Sequence, residues 1–89
     1  MKKVKISIRV PPEGHGLLVL DDKPMRIRDG KASRRVSSGV HKLAWLVSAP
    51  GGRYSVEVTA PEESKTCAEK DIEIGEDGYG YGACKFIVS

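Results

Sequence analysis

His15, His41, Cys67 and Cys84 make the right inventory for a zinc site in this 89-residue chain. Zinc takes its ligands in close pairs, cysteines or histidines separated by about two to five residues. Neither cysteine here has such a partner, and the histidines belong to different segments. No metal site is therefore expected. His41, at the head of an apolar run, reads as a partly buried histidine with a backbone partner. Cys67 and Cys84 fall in the two C-terminal strand regions. They can form a disulfide if those regions are neighbours and the Cα atoms come within about 7 Å. An oxidising compartment would favour the bond, and a cytoplasmic one two buried thiols. Nucleophilic catalysis by either cysteine has no supporting context, and no Ser-His-Asp pattern appears. Asp21-Asp22, Glu62-Glu63 and Glu76-Asp77 are adjacent acids of the kind found in solvated turns. Residues 71–77, DIEIGED, follow the alternating acids and glycine of a calcium loop only loosely. The expectation is a protein with no enzymatic site and no cofactor.

A second stretch with possible chemistry is DGYGYGACKF, residues 77–86. It approaches the RNA-binding strand signature of an RNA recognition motif: a basic residue, glycine, an aromatic, glycine, then an aromatic. Asp77 stands where the leading cation belongs, and Gly82 where valine follows the second aromatic. The chain also lacks the two amphipathic helices that such a fold needs behind its sheet. Gly78, Gly80 and Gly82 are better read as positions of positive φ or of close strand packing. Tyr79 and Tyr81, two apart, fall on one side of a strand and could form an exposed aromatic surface.

The elements that would position these residues are short and extended. Val4, Ile6, Ile8 and Val10 alternate with Lys3, Lys5, Ser7 and Arg9, which is a strand with one buried face, ended by Pro11-Pro12. Residues 16–20 form a buried apolar run. Residues 24–28 and 32–37 flank Asp29-Gly30, a hairpin signal. Residues 40–49 carry apolar side chains on both faces and read as a central strand with both sides partly covered. Residues 53–60 alternate again, and the Pro50-Gly51-Gly52 turn joining them to 40–49 predicts a hairpin. Residues 61–70 have no apolar face to anchor a helix and read as a loop or single turn, leading into a strand that ends at Ile72 and Ile74. Cys84, Phe86 and Val88 line the last strand. Seven or eight short strands, with turns about every ten residues, predict a single all-β domain over residues 1–89, an antiparallel β-sandwich of immunoglobulin-like type.

Composition agrees with a folded domain: 39% of residues are hydrophobic and 30% charged. The net charge of +3 is unevenly distributed, with ten cations against four acids in residues 1–35 and five against eight in residues 36–89. No segment approaches the ~20 apolar residues that cross a bilayer. Lys5, Ser7 and Arg9 interrupt what would be the apolar core of a signal peptide. The chain is expected to be cytoplasmic if complete, and extracytoplasmic if a leader has been removed.

Residues 16–60 run through a short strand closing on Asp21-Asp22, then Ser38-Gly39-Val40-His41-Lys42-Leu43, then Pro50-Gly51-Gly52, and a strand ending Val58-Thr59-Ala60-Pro61. This order resembles the small bacterial immunoglobulin-like and prealbumin-like β-sandwiches, PEGA-type modules included. Pro12-Glu13-Gly14-His15 departs from that family's Pro-Glu-Gly-Ala stretch at its fourth place. The resemblance implies a structural module for adhesion, spacing or protein docking, and it carries over no active-site residue.

The candidate binding surface is the basic run Arg26, Arg28, Lys31, Arg34 and Arg35, which a hairpin could gather on one side. It would serve a protein partner with an acidic surface, by charge complementarity or by addition to a sheet edge. Reversing Arg34 and Arg35 is expected to abolish docking and leave folding intact. Nucleic-acid binding through the same residues is the alternative. Binding of carbohydrate or lipid headgroups through Trp45, Tyr79 and Tyr81 is a third, although Trp45, between Leu43 and Val47, reads as core.

Overall fold

The alternation of Val4, Ile6 and Ile8 with polar residues becomes strand β1 (Lys2–Arg9), with all three aliphatic side chains buried, in a computed structural model that describes residues 1–89. Seven more strands follow: β2 (His15–Leu20), β3 (Lys23–Met25), β4 (Lys31–Val36), β5 (Gly39–Ser48), β6 (Arg53–Ala60), β7 (Ala68–Glu73) and β8 (Tyr79–Val88). Residues 61–70 contribute one 3-10 turn, Glu62–Ser64, whose buried Ser64 hydroxyl donates to the Ile87 carbonyl at 2.7 Å. No helix is long and apolar enough to cross a membrane.

The strands form two four-stranded antiparallel sheets, ordered β4-β1-β6-β7 and β3-β2-β5-β8. Their inward side chains make one core, with Val4, Ile6, Leu18, Leu20, Leu43, Val47, Val56, Val58 and Val88 essentially sealed from solvent. The period-two pattern decides which residues these are, because a one-residue slip would turn the whole apolar set outward.

Three sequence expectations are corrected by the topology. Pro50-Gly51-Gly52 does not close a hairpin: β5 pairs with β2 and β8, and β6 with β1 and β7, so the turn carries the chain from one sheet to the other. Two amphipathic strands joined by a tight turn can bury their apolar faces edge to edge or face to face, and here they stack face to face. The Asp29-Gly30 turn does form, with φ of 52° and 73°, but its hairpin is a single Arg28–Lys31 bridge. β3 stays with β2, while β4 leaves to pair with β1. Finally, β5 is covered on one side only. His41, Leu43, Trp45 and Val47 are buried, whereas Val40 and Leu46 are 65% and 40% exposed. A two-layer sandwich gives each sheet a single inner face.

The two-residue hairpin between β2 and β3 uses Asp21 and Asp22, both at positive φ (52° and 65°), which suits the right-handed twist of the flanking strands.

Candidate functional site

The outward face of β1 carries Lys3, Lys5, Ser7 and Arg9, and that of β4 carries Lys31, Ser33 and Arg35. The register sets Lys3 opposite Arg35, Lys5 opposite Ser33, and Ser7 opposite Lys31. Two cations thus sit directly across from each other on adjacent strands, an arrangement that weakens a sheet. Arg26 and Arg28, between β3 and β4, extend the charge around the sheet edge. With Lys5, Lys31 and Ser33 they line a groove of about 850 Å³, where Asp29 is the one acid. The four ion pairs of the molecule are Lys2–Glu63, His41–Asp21, Lys65–Glu62 and Lys70–Glu57, and none involves a cation of this face. Towards β7 the charge becomes mixed, as Glu57 and Lys70 pair.

The five arginines and lysines picked out by sequence are therefore divided. Arg26, Arg28, Lys31 and Arg35 are exposed and belong to this face. Arg34 alternates to the inner side of β4. Its guanidinium donates to the Leu20 carbonyl at 3.0 Å and the Pro24 carbonyl at 2.9 Å, clamping the β2–β3 hairpin to the other sheet. Reversing Arg34 would leave two carbonyls without their donor, so Arg34 is a poor probe of docking. Lys3, Lys5 and Arg9 join the face without having been singled out, although their alternation with Val4, Ile6 and Ile8 already put them on one side of β1.

The YGYG repeat resolves into two faces of β8. Gly80 and Gly82 point inward, where the rings of Tyr54 and Trp45 lie against their backbone. A Cβ at Gly80 would come 2.3 Å from Tyr54 Cε1, and one at Gly82 2.6 Å from Trp45 Cζ2. Aromatic rings thus cover the glycines of an edge strand. Trp45 is 4% exposed and donates to the Tyr54 hydroxyl at 3.4 Å. Tyr79 and Tyr81 point outward, 47% and 73% exposed, on the sheet opposite the basic face. The cross-strand row of Leu17, Leu46 and Tyr81 makes this outer face partly apolar.

Cys67, just before β7, and Cys84, in β8, are joined as a disulfide with Cα atoms 5.8 Å apart, so the bond links the two sheets. His15 stands at the start of β2, opposite Ser48.

His41 is buried, with Nδ1 2.6 Å from Asp21 Oδ2 and Nε2 2.7 Å from the Ser37 carbonyl. Both ring nitrogens face acceptors, which suits the imidazolium. The Asp21 bond raises the His41 pKa above its usual 6.5, against the opposing effect of burial and with help from Ser37. For Asp21, desolvation pushes the pKa up. The Lys42 N–H, at 3.0 Å, and His41 together outweigh it and leave the value below 3.8. The His41 contribution is complete below pH 6.5 and lost as pH rises through the elevated folded value. The Asp21 contribution is complete above pH 3.8 and lost as pH falls through the lowered one. The pair therefore stabilises most between those two ordinary values. Asp21→Asn removes the charge but retains an acceptor for Lys42. We expect the gap in Tm between wild type and Asp21→Asn to be widest near pH 5.5 and to narrow by pH 8.5. A gap independent of pH would show that His41 does not change its charge between pH 5.5 and 8.5.

No family model matches the chain, and neither a curated protein nor a solved structure matches it.

Proposed function

We propose that this domain is a non-catalytic docking module whose basic face, centred on β1 and β4, receives an acidic surface of a protein partner. The observation that carries the reading is the Lys3–Arg35 pair. Like charges directly opposite each other cost stability, and here no acid neutralises them. A partner that brings carboxylates to the face offsets that cost, and the long-range field speeds the encounter. Nucleic acid is the second reading of the same charges. It is less well supported because the exposed tyrosines lie on the other sheet, so bases tracking the basic face would meet no aromatic platform.

The signature is a trade between folding and binding. Lys3→Glu should raise Tm by about 2–4 °C, because it replaces a repulsive cross-strand pair with an attractive one. In fluorescence anisotropy at low salt, an oligoglutamate peptide should bind wild type. Reversing Lys3, Lys5 and Arg28 together should weaken it about tenfold or more. Unchanged binding by the triple variant would end the proposal. An oligonucleotide that outcompetes the peptide, with log affinity falling steeply against log salt, would favour the second reading.

A further inference from the structure

β8 is a ten-residue strand paired on one side only, with β5. On its other side the Tyr79 carbonyl accepts from the Gly75 N–H and the Tyr79 N–H donates to Asp77 Oδ1, while the Ile87 carbonyl accepts from the Ser64 hydroxyl. The register with β5 is unbroken from Tyr79 to Val88. In an antiparallel ladder the direction of the backbone groups alternates with every residue. Tyr81, Ala83 and Lys85 therefore face away from β5 as Tyr79 and Ile87 do, and no hydrogen bond outside the ladder takes their N–H or C=O groups. The result is a window of three donors and three acceptors at Tyr81, Ala83 and Lys85, bounded by the occupied Tyr79 groups at one end and the occupied Ile87 carbonyl at the other, with the Ile87 N–H a further open donor.

We infer that this window pairs with the same window of a second copy, about a two-fold axis at Ala83, to make one continuous eight-stranded sheet. A closed dimer requires a self-complementary patch, and the window is one. With Ala83 opposite Ala83 of the other copy, Tyr81 falls opposite Lys85 and Lys85 opposite Tyr81. All six groups of the window on each strand then find partners. Shifting the axis to Gly82 sets Lys85 against the occupied Tyr79 groups, and shifting it to Cys84 sets the Tyr81 N–H against the occupied Ile87 carbonyl. Centring it on Lys85 would align Lys42 and Lys85 of both copies in a single row, because those two already face each other across β5 and β8. Centring it on Tyr81 would need the Tyr79 groups that Gly75 and Asp77 already hold. An edge lysine ordinarily guards against pairing. Here its ammonium would lie beside the exposed Tyr81 ring, where the contact is attractive. The side chains at the seam are small in the middle and complementary on either side, and the apolar row of Leu17, Leu46 and Tyr81 continues into the joint.

The test is sedimentation over a concentration series. Wild type should move from the 9.7 kDa chain to twice that mass. Tyr81→Lys places lysine against Lys85 at two symmetric positions, and should weaken the dimer about tenfold. Because Tyr81 is exposed, circular dichroism and Tm should be unchanged for the monomer. The double swap Tyr81→Lys with Lys85→Tyr recreates both pairs with the partners exchanged, and should restore association. A wild type that is monomeric at every concentration would overturn the inference and leave the edge to a strand of another protein. So would a dimer indifferent to Tyr81→Lys, or one that the double swap fails to restore. The outcome is independent of the basic face, which belongs to the other sheet.

Discussion

Breaking the Cys67–Cys84 bond is expected to cost about 3 kcal/mol, on the chain-entropy estimate for a bridge spanning 17 residues. For a domain of this size that is a large share of a total near 5–13 kcal/mol. It corresponds to a fall in Tm of roughly 12–24 °C. The position of the bond gives it leverage. Hydrogen bonds hold strands within each sheet, but the sheets are held to each other mainly by side-chain packing, and this bond ties β8 to the segment entering β7. Urea unfolding with and without reductant measures the difference. The Cys67→Ala/Cys84→Ala double variant should match the reduced protein, with some further loss because Cys67 is 3% exposed and its volume would be vacated. A change below about 1 kcal/mol would mean that the reduced chain is already compact where the bridge acts.

Alanine at Gly82 or Gly80 should also destabilise, against the usual trend. Within a strand, alanine normally gains about 0.5–1 kcal/mol over glycine by restricting the unfolded chain. Here the added methyl would strike a buried ring that cannot swing aside. The overpacking cost of about 1–3 kcal/mol should win. Gly80→Ala should suffer more, since its methyl would approach Tyr54 to 2.3 Å, against 2.6 Å for Gly82 and Trp45. Gly51→Ala is the control: nothing lies within 4 Å of its Cβ position, so stability should hold or rise slightly. Chemical denaturation of the three variants gives the order, and Trp45 emission should shift to the red most in Gly82→Ala and not at all in Gly51→Ala. Equal stability of Gly82→Ala and wild type would mean that the ring is loosely packed.

Burial was legible in the sequence wherever alternation ran unbroken. Val4, Ile6 and Ile8, and equally Tyr54, Val56 and Val58, are inward as their period requires. Single turns were legible too, since Asp29-Gly30 takes the positive φ values its residue types favour. Strand partners were not, because the same tight turn serves a hairpin or a crossing between sheets, and Pro50-Gly51-Gly52 makes the crossing. Arg34 shows the same limit at a single side chain. Its alternation with Ala32 and Val36 places it on the inner side of β4, opposite to Arg35, but only the proximity of the β2–β3 hairpin turns it into a clamp for two carbonyls. The β8 window escaped notice because an open edge is defined by the absence of a neighbour, which no residue encodes by itself.

Five of the seven connections in this sandwich pass between sheets; only β2–β3 and β6–β7 join neighbours in the same one. β1 accordingly waits for residues 31–36 to gain one flank and for residues 53–60 to gain the other. Chains dominated by such distant pairings reach their native state in milliseconds to seconds rather than microseconds. On a ribosome emitting about 5–20 residues per second, the first strand spends seconds as a bare ribbon of alternating aliphatic and cationic side chains. Its Lys3, Lys5 and Arg9, idle in the native ion-pair scheme, would during that interval repel other nascent copies and keep the ribbon from sticking to them.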